Sequence, residues 1–557
     1  MRKQIFAFLM NFCVALMGAF TLFFLAGSLI YTVYFDLGME SDLAKYSREN
    51  LLVLIPLCAL LLALVLLLRQ RIGTVLDKRD AAGQALLIRQ LTCVVLALTG
   101  AAGLYLIFAA HAVPHSDAMQ LEEIIEAIRA GDYSGYLPGG YLYSNPFQIG
   151  YVVVGMALHR LFSPSVRYII YQLLNLTSIL VTEFLLIRMA QLLSDNVRIT
   201  LNMILLTPLM LYLTVYSVYL YGDIWSLAPE TAALYLMLRY VLSPAPLTDR
   251  RQCGRVIGAA VLQSFAIFVK PNSEIAVAAI CLFLVLWSLR ISGLNLQGLI
   301  KILVPVLLMI LLPRAFLNLA ASHYAHLAGL ASVPEGAPMT GWIAMGLQEN
   351  EFEIANGWYN GYNYAIWKES GYNHDAASAV AVAYIRERVS LFLHHPRYAF
   401  VFFARKLFSM WAEPALSSMH ELELTSRQYG QHGPLIHSII FGTGRTVLIQ
   451  IMNAVQSLLY MLVCAAVYAF FRARKLPAQA VRTEKSDHAE DLRADLILLP
   501  VLFILGGMSF HLFWEADGRY VVRYYNFLFL LSAAGLEQVS AAVQTLLRRF
   551  RTPTPRT

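Results

Sequence analysis

Charge is what this chain has least of. Asp, Glu, Lys and Arg make up only 14% of its 557 residues, while 58% are hydrophobic and the mean hydropathy is +0.60. A soluble domain carries about a quarter charged residues, so that class is excluded. Cysteine is scarce as well. Cys13, Cys58, Cys93, Cys253, Cys281 and Cys464 are the complete set; none falls in a loop expected outside and none has metal-ligand spacing. A disulfide framework and a Cys-based zinc site are therefore not expected. The histidines, His394 and His395 among them, show no metal spacing either. Glycine-rich phosphate-binding signatures are missing, which disfavours a soluble nucleotide-linked substrate. No internal repeat is visible, which weighs against a transporter built from inverted repeats.

What the chain has instead is apolar runs near the roughly 20 residues needed to cross a bilayer. They are continuous and not alternating, which argues against a β-barrel. The expected fold class is an all-α polytopic membrane protein. Spans are expected at about residues 5–35, 51–68, 91–110, 166–187, 199–220, 224–241, 256–269, 275–289, 302–320, 448–470, 496–513 and 521–541, about twelve in all. The first reads as a retained helix and not a signal peptide, because no small-residue cleavage site follows it. The excess of Lys and Arg orients the chain. Arg2 and Lys3, the basic 69–89 loop, Arg188, Arg198, Arg250, Arg251, Arg255, Arg290 and Lys301 fall on one side, the cytoplasm. The linker 472–493 and a tail with Arg548, Arg549, Arg551 and Arg556 join them. The net charge of +7 thus reflects orientation and needs no nucleic acid.

Five regions follow: helices over 1–110, a first outer loop over 111–165, a central bundle over 166–321, a long outer region over 322–447, and C-terminal helices with a tail over 448–557. The apolar but short 146–162 segment, with His159 and Arg160, reads as interfacial or re-entrant. The long outer region is too aromatic for a disordered tail. Within it, residues 396–410 read as an interfacial helix whose Arg397, Arg405 and Lys406 snorkel to the headgroups.

The densest signal is His111-Ala-Val-Pro-His-Ser-Asp117, where a long apolar run ends. An aspartate at the mouth of a membrane helix is costly unless it is used. Asp117 reads as a general base at the membrane surface, or more plainly as a helix cap shared with Ser116. Asp223, in Tyr221-Gly-Asp223, is a second carboxylate at a helix end; it holds an acceptor or a divalent metal with Asp117, or caps the next helix. Lys270 and Glu274 bracket a Pro-Asn turn, where Lys270 pairs with a lipid phosphate or snorkels. Arg519 and Arg523 stand four residues apart in the last outer loop, on one face of a helical turn. Paired guanidiniums suit a phosphate or pyrophosphate, and the positive-inside bias disfavours idle arginines there. Tyr133, Tyr136, Tyr141, Tyr143, Trp342, Trp358, Tyr359 and Trp411 either stack on sugar rings or form an interfacial belt. Gln148, Tyr143, Tyr221, Glu274 and Trp358 are the expected substrate-binding set.

Read in order, several motifs carry a family resemblance: Ser116-Asp-Ala-Met-Gln120, Gly131-Asp-Tyr-Ser134, Asn145-Pro-Phe-Gln-Ile-Gly150, Tyr221-Gly-Asp223 and Val269-Lys-Pro-Asn-Ser-Glu-Ile275. Further on come Met345-Gly-Leu347, Gly357-Trp-Tyr-Asn360, Lys406-Leu407, Trp411-Ala-Glu-Pro414 and Gly518-Arg-Tyr520. With them the chain resembles polytopic glycosyltransferases of the GT-C superfamily. More closely, it resembles bacterial relatives of the protein mannosyltransferase and aminoarabinose transferase group, family 39-like. The resemblance implies a polyprenyl-phosphate sugar donor, a glycan, lipid or protein acceptor, and an inverting reaction on the outer face of the cytoplasmic membrane. It implies that Asp117 matches the catalytic first-loop aspartate and Asp223 the second acidic position. Two helices precede the usual first one here, Asp117 is followed by Ala118 where the mannosyltransferases have a second acid, and a large soluble outer domain is absent. The competing readings are a flippase or transporter for lipid-linked glycans, and a polymerase or ligase using a polyprenyl pyrophosphate glycan.

Overall fold

Hydropathy sets the architecture. The computed structural model describes residues 1–39, 43–290, 296–350, 354–475 and 492–551. Most of the linker expected in the cytoplasm (476–491) and Arg556 of the tail lie outside the described residues. Among the described residues, ten helices are long and apolar enough to cross a membrane, from Arg2–Ser28 and Leu51–Asp77 to Leu492–Phe513 and Gly518–Arg548. The pair Val197–Leu209 and Leu211–Val218, bent by 47°, makes an eleventh if the two pieces are one broken span, and a re-entrant loop if they are not. Pro208 lies in the turn Thr207–Leu209 just before that break and supplies no backbone N–H to the ladder. The remaining expected span, 224–241, is the 16-residue helix Leu227–Leu242, about 24 Å at 1.5 Å per residue and short of a full crossing.

Helix starts follow local chemistry. Asn50 accepts from Leu52 N, Asp80 from Gly83 N, and Asp249 from Arg251 N and Gln252 N, each satisfying amides the helix leaves unpaired. The first span is shorter than its apolar run. After Ser28, Tyr31–Tyr34 leaves the helix and pairs antiparallel with Lys45–Arg48, as its β-branched and aromatic residues favour. The 146–162 segment is a 13-residue helix, Ile149–Leu161, too short to span.

The loops sort to two ends. At one, Arg198 pairs with Asp77 at 2.6 Å, Arg290 with Asp495 at 2.5 Å, Arg474 with Asp495 at 3.0 Å and Arg69 with Glu537 at 2.6 Å. At the other, Val113 N donates to Thr425 O, Ala337 N to Ser144 O, Ala355 N to Ala44 O and Ala516 N to Gly357 O. The loop-rich end carries the helices Met339–Gly346, Tyr362–Glu369, His374–His394, Pro396–Trp411, Ser418–Ser426 and Pro434–Phe441.

The Pro396–Trp411 helix corrects one expectation. Lys406 does not snorkel: it is fully buried, and its ammonium donates to the carbonyls of Gly346, Leu512 and Trp514. A charge that cannot reach water must meet oxygen acceptors instead, and the unpaired carbonyls at two helix ends supply them.

Candidate active site

A cavity of about 1290 Å³ opens at the loop-rich end. Its first wall is the 111–117 turn. The helix Ala81–Ala110 stops where His111 turns left-handed (φ 47°), and Ser116 does so again (φ 48°). The helix Ser116–Arg129 then begins with Asp117 in its first turn, where the helix dipole favours a carboxylate. Neither Ser116 nor Asp117 is the cap: His115 holds that position and makes no side-chain capping bond. Asp117 lines the cavity, together with His115 and Ser116.

The second wall comes from two helix ends pressed together. A Cβ on Gly222 would meet Val269 O at 2.4 Å, so only glycine lets the 222 turn reach the 269–270 backbone. That contact sets Asp223 against Lys270, carboxylate to ammonium at 2.7 Å, both buried. Lys270 faces the cavity; Asp223 is not among its lining residues. Burial pushes the Lys270 ammonium below its usual pKa, and Asp223 opposes that shift. The same ammonium lies 4.3 Å from the centre of the Tyr221 ring. Tyr221 also lines the cavity and accepts a hydrogen bond from Gln148 Nε2. Burial first, then the Asp117 and Asp223 carboxylates, hold its phenol well above the ordinary value, so both acids act on one hydroxyl.

Arg519 forms the third wall. It donates to Tyr219 Oη at 2.9 Å, reaches Glu421 Oε1 at 3.1 Å and pairs through Nε with Asp517 at 2.6 Å. Glu421 in turn meets His115 Nε2 at 2.8 Å. Arg523, one turn on, does not join it. Its guanidinium is committed to Glu230 at 2.6 Å and to Ser273 Oγ at 2.8 Å, away from the cavity lining. The expected arginine pair therefore separates: the shared helix face holds, but Arg523 points into the bundle, where a buried acid neutralises it.

Aromatic rings form the fourth wall. Trp342 and Trp514 stack almost parallel (2°) with centroids 6.1 Å apart, and Phe147, Tyr364 and Phe510 pack around them. All five line the cavity, as do Tyr141 and Tyr359. Ile275, Leu317, Ala321 and Phe510 carry the lining down onto membrane helices.

Of the expected substrate-binding set, Gln148, Tyr221 and Glu274 line the cavity. Two do not. Tyr143 stacks on Trp367 at 6.1 Å in a neighbouring aromatic cluster. Trp358 is fully buried, its indole N–H donating to Ser409 Oγ at 2.8 Å. Both satisfy their rings by packing, as do Tyr136 and Trp411. His115, Glu421, Trp514 and Glu515 were not singled out from the sequence. His115 lies two residues before Asp117, inside the same His111–Asp117 run; Glu421, in a helix of the long loop region, carries no sequence signal.

A divalent metal does not fit the residues present. Among the described residues no three His, Cys, Asp or Glu side chains gather to hold one, and Asp223 already faces an ammonium.

No family model and no curated protein matches the chain. Among solved structures, the oligosaccharyltransferase AglB from Archaeoglobus fulgidus, in complex with an inhibitory peptide and a dolichol-phosphate, is similar over 84% of this chain and 52% of its own. The identity is 12% and the TM-score 0.41. A second A. fulgidus oligosaccharyltransferase structure, tethered with an acceptor peptide, covers 83% and 51% at 11% identity and a TM-score of 0.42. ArnT from Cupriavidus metallidurans bound to undecaprenyl phosphate covers 85% and 82% at 13% identity and a TM-score of 0.29. The chain spans about half the length of the oligosaccharyltransferases it matches, and all three likenesses are distant in sequence and backbone.

Proposed function

We propose that this protein is a GT-C-like glycosyltransferase of the cytoplasmic membrane. It moves a sugar from a polyprenyl-phosphate carrier to a glycan, lipid or protein acceptor on the outer face. One observation carries the reading. A single cavity holds a carboxylate at a helix start (Asp117), two basic groups (Lys270 and Arg519), an aromatic wall and a border of membrane-helix side chains. A lipid-borne sugar phosphate needs all four. The Lys and Arg bias supports an outward-facing loop-rich end.

In this reading the carrier enters beside Ile275, Leu317 and Ala321, and its sugar lies against Trp342 and Trp514. Asp117 takes the proton from the acceptor hydroxyl or amine. The acceptor atom attacks the anomeric carbon from the face opposite the phosphate, and the carbon–oxygen bond to phosphate breaks. Its electron pair leaves on the phosphate oxygen, facing Lys270 and Arg519, and the configuration inverts. Asp223 acts behind Lys270 by holding its ammonium in place. The cavity exceeds the roughly 300–1,000 Å³ of ordinary small-molecule sites, which favours, as a second reading, a longer glycan delivered from a pyrophosphate carrier.

Transfer by the purified protein from radiolabelled polyprenyl-phosphate hexoses to a membrane extract tests the reading. Asp117→Asn should lower transfer by about 10²–10⁴. Near wild-type transfer by the variant would remove Asp117 as base. Passage of lipid-linked glycan across vesicles, with no transfer from any donor, would favour the flippase.

A further inference from the structure

The proton acceptor and the anion-binding arginine belong to segments about 400 residues apart in the chain (117 and 519), and one buried side chain touches the neighbourhood of both. Glu421 is 2% exposed, in the short helix Ser418–Ser426. Its Oε2 lies 2.8 Å from His115 Nε2 and its Oε1 lies 3.1 Å from Arg519 Nη1. The same helix grips the 111–117 turn a second time, through Val113 N and Thr425 O at 2.9 Å. That turn needs holding: Ser116 sits at φ 48°, a region strained for a side-chain-bearing residue that persists only where its surroundings enforce it. A carboxylate on Nε2 also fixes the ring. The proton sits on Nε2, so in the neutral imidazole Nδ1 accepts from Ser116 Oγ, 3.1 Å away. His115, Ser116 and the start of the Asp117 helix are thereby locked as one piece.

We propose that Glu421 is the positioning residue of this site: its two oxygens set the Asp117 turn and the Arg519 guanidinium relative to each other. The assignment rests on the glycosyl-transfer reading. It has a consequence that simple structural support does not. A donor phosphate approaching Arg519 competes with Glu421 for the same guanidinium, so neutralising Glu421 relieves donor binding while it loosens the base. Glu421→Gln keeps the shape of the side chain, but its amide cannot accept from both partners.

The experiment uses full-length protein in nanodiscs and reads kcat, lipid-phosphate affinity, amide exchange and melting temperature in wild type, Glu421→Gln, His115→Gln and the double variant. In Glu421→Gln, kcat should fall about 100-fold, the loss expected of a misplacement near 1 Å, while affinity for sugar-free undecaprenyl phosphate stays equal or tightens. The double variant should be no slower than Glu421→Gln alone. Amide hydrogen exchange over 112–119 should accelerate in both single variants with the global melting temperature unchanged. Loss of kcat and lipid-phosphate affinity together, multiplying losses in the double variant, or unchanged exchange over 112–119 would each overturn the positioning role. Failure of the glycosyl-transfer reading looks different: wild type neither transfers sugar nor binds the lipid phosphate, and the exchange result still decides whether Glu421 holds the turn.

Discussion

Arg519 and Arg523 show what a single residue position discloses and what it hides. Their spacing made one phosphate clamp the natural expectation, and the helix does carry both. Which one meets the cavity was decided by Glu230, an acid in a distant helix with no motif of its own. Arg523→Ala should strand that buried acid and cost about 3–5 kcal/mol, seen as a large fall in thermal stability. The paired replacement Arg523→Met with Glu230→Gln should recover most of that loss and keep wild-type donor KM. Donor affinity still lost in the paired variant would return Arg523 to the phosphate site. Asp117 and Lys270 stand out in the sequence because each is a charge at a helix mouth in an apolar chain, and both line the cavity. Glu421 was not, because its importance lies wholly in what folds against it.

Among elements, the apolar helices were the readable part, since length and hydropathy suffice to find them. The Tyr31–Tyr34 strand was hidden inside the first apolar run, and the Pro396–Trp411 helix concealed the fate of Lys406. That lysine joins three elements: the end of Met339–Gly346, the end of Leu498–Phe513 and the segment bearing Trp514. Burial pushes its ammonium down to about 7, with Glu515 partly opposing. Between that value and the ordinary lysine value of about 10, the unfolded chain binds the proton that the folded one has released. Stability therefore rises with pH across this window, and below about 7 the full cost of a buried charge is present. The melting temperature of wild type should climb relative to Lys406→Met from pH 7 to pH 9. A constant difference would mean that the ammonium keeps its proton throughout.

Over the whole molecule, the two ends differ in kind. One is a belt of ion pairs between arginines and a few acids; the other has buried ion pairs of its own beneath a roof of loops and short helices closed by backbone hydrogen bonds across the chain. Positive-inside bias predicts which is outside, and labelling checks it. In a background with the six cysteines replaced, Glu335→Cys at the cavity rim should react with an impermeant thiol reagent in intact cells, and Asp77→Cys should react only after permeabilisation. The reverse pattern would turn the protein over and make the donor a cytoplasmic one.

The stacked pair Trp342 and Trp514 has an optical consequence. The chain has seven tryptophans, and these two line the cavity at near-parallel orientation. Indoles this close share their excitation, so their emission and near-ultraviolet circular dichroism report on whatever enters between them and the basic wall. The site therefore carries an intrinsic chromophore, able to register the arrival of a ligand in the cavity without a label and before any bond is made.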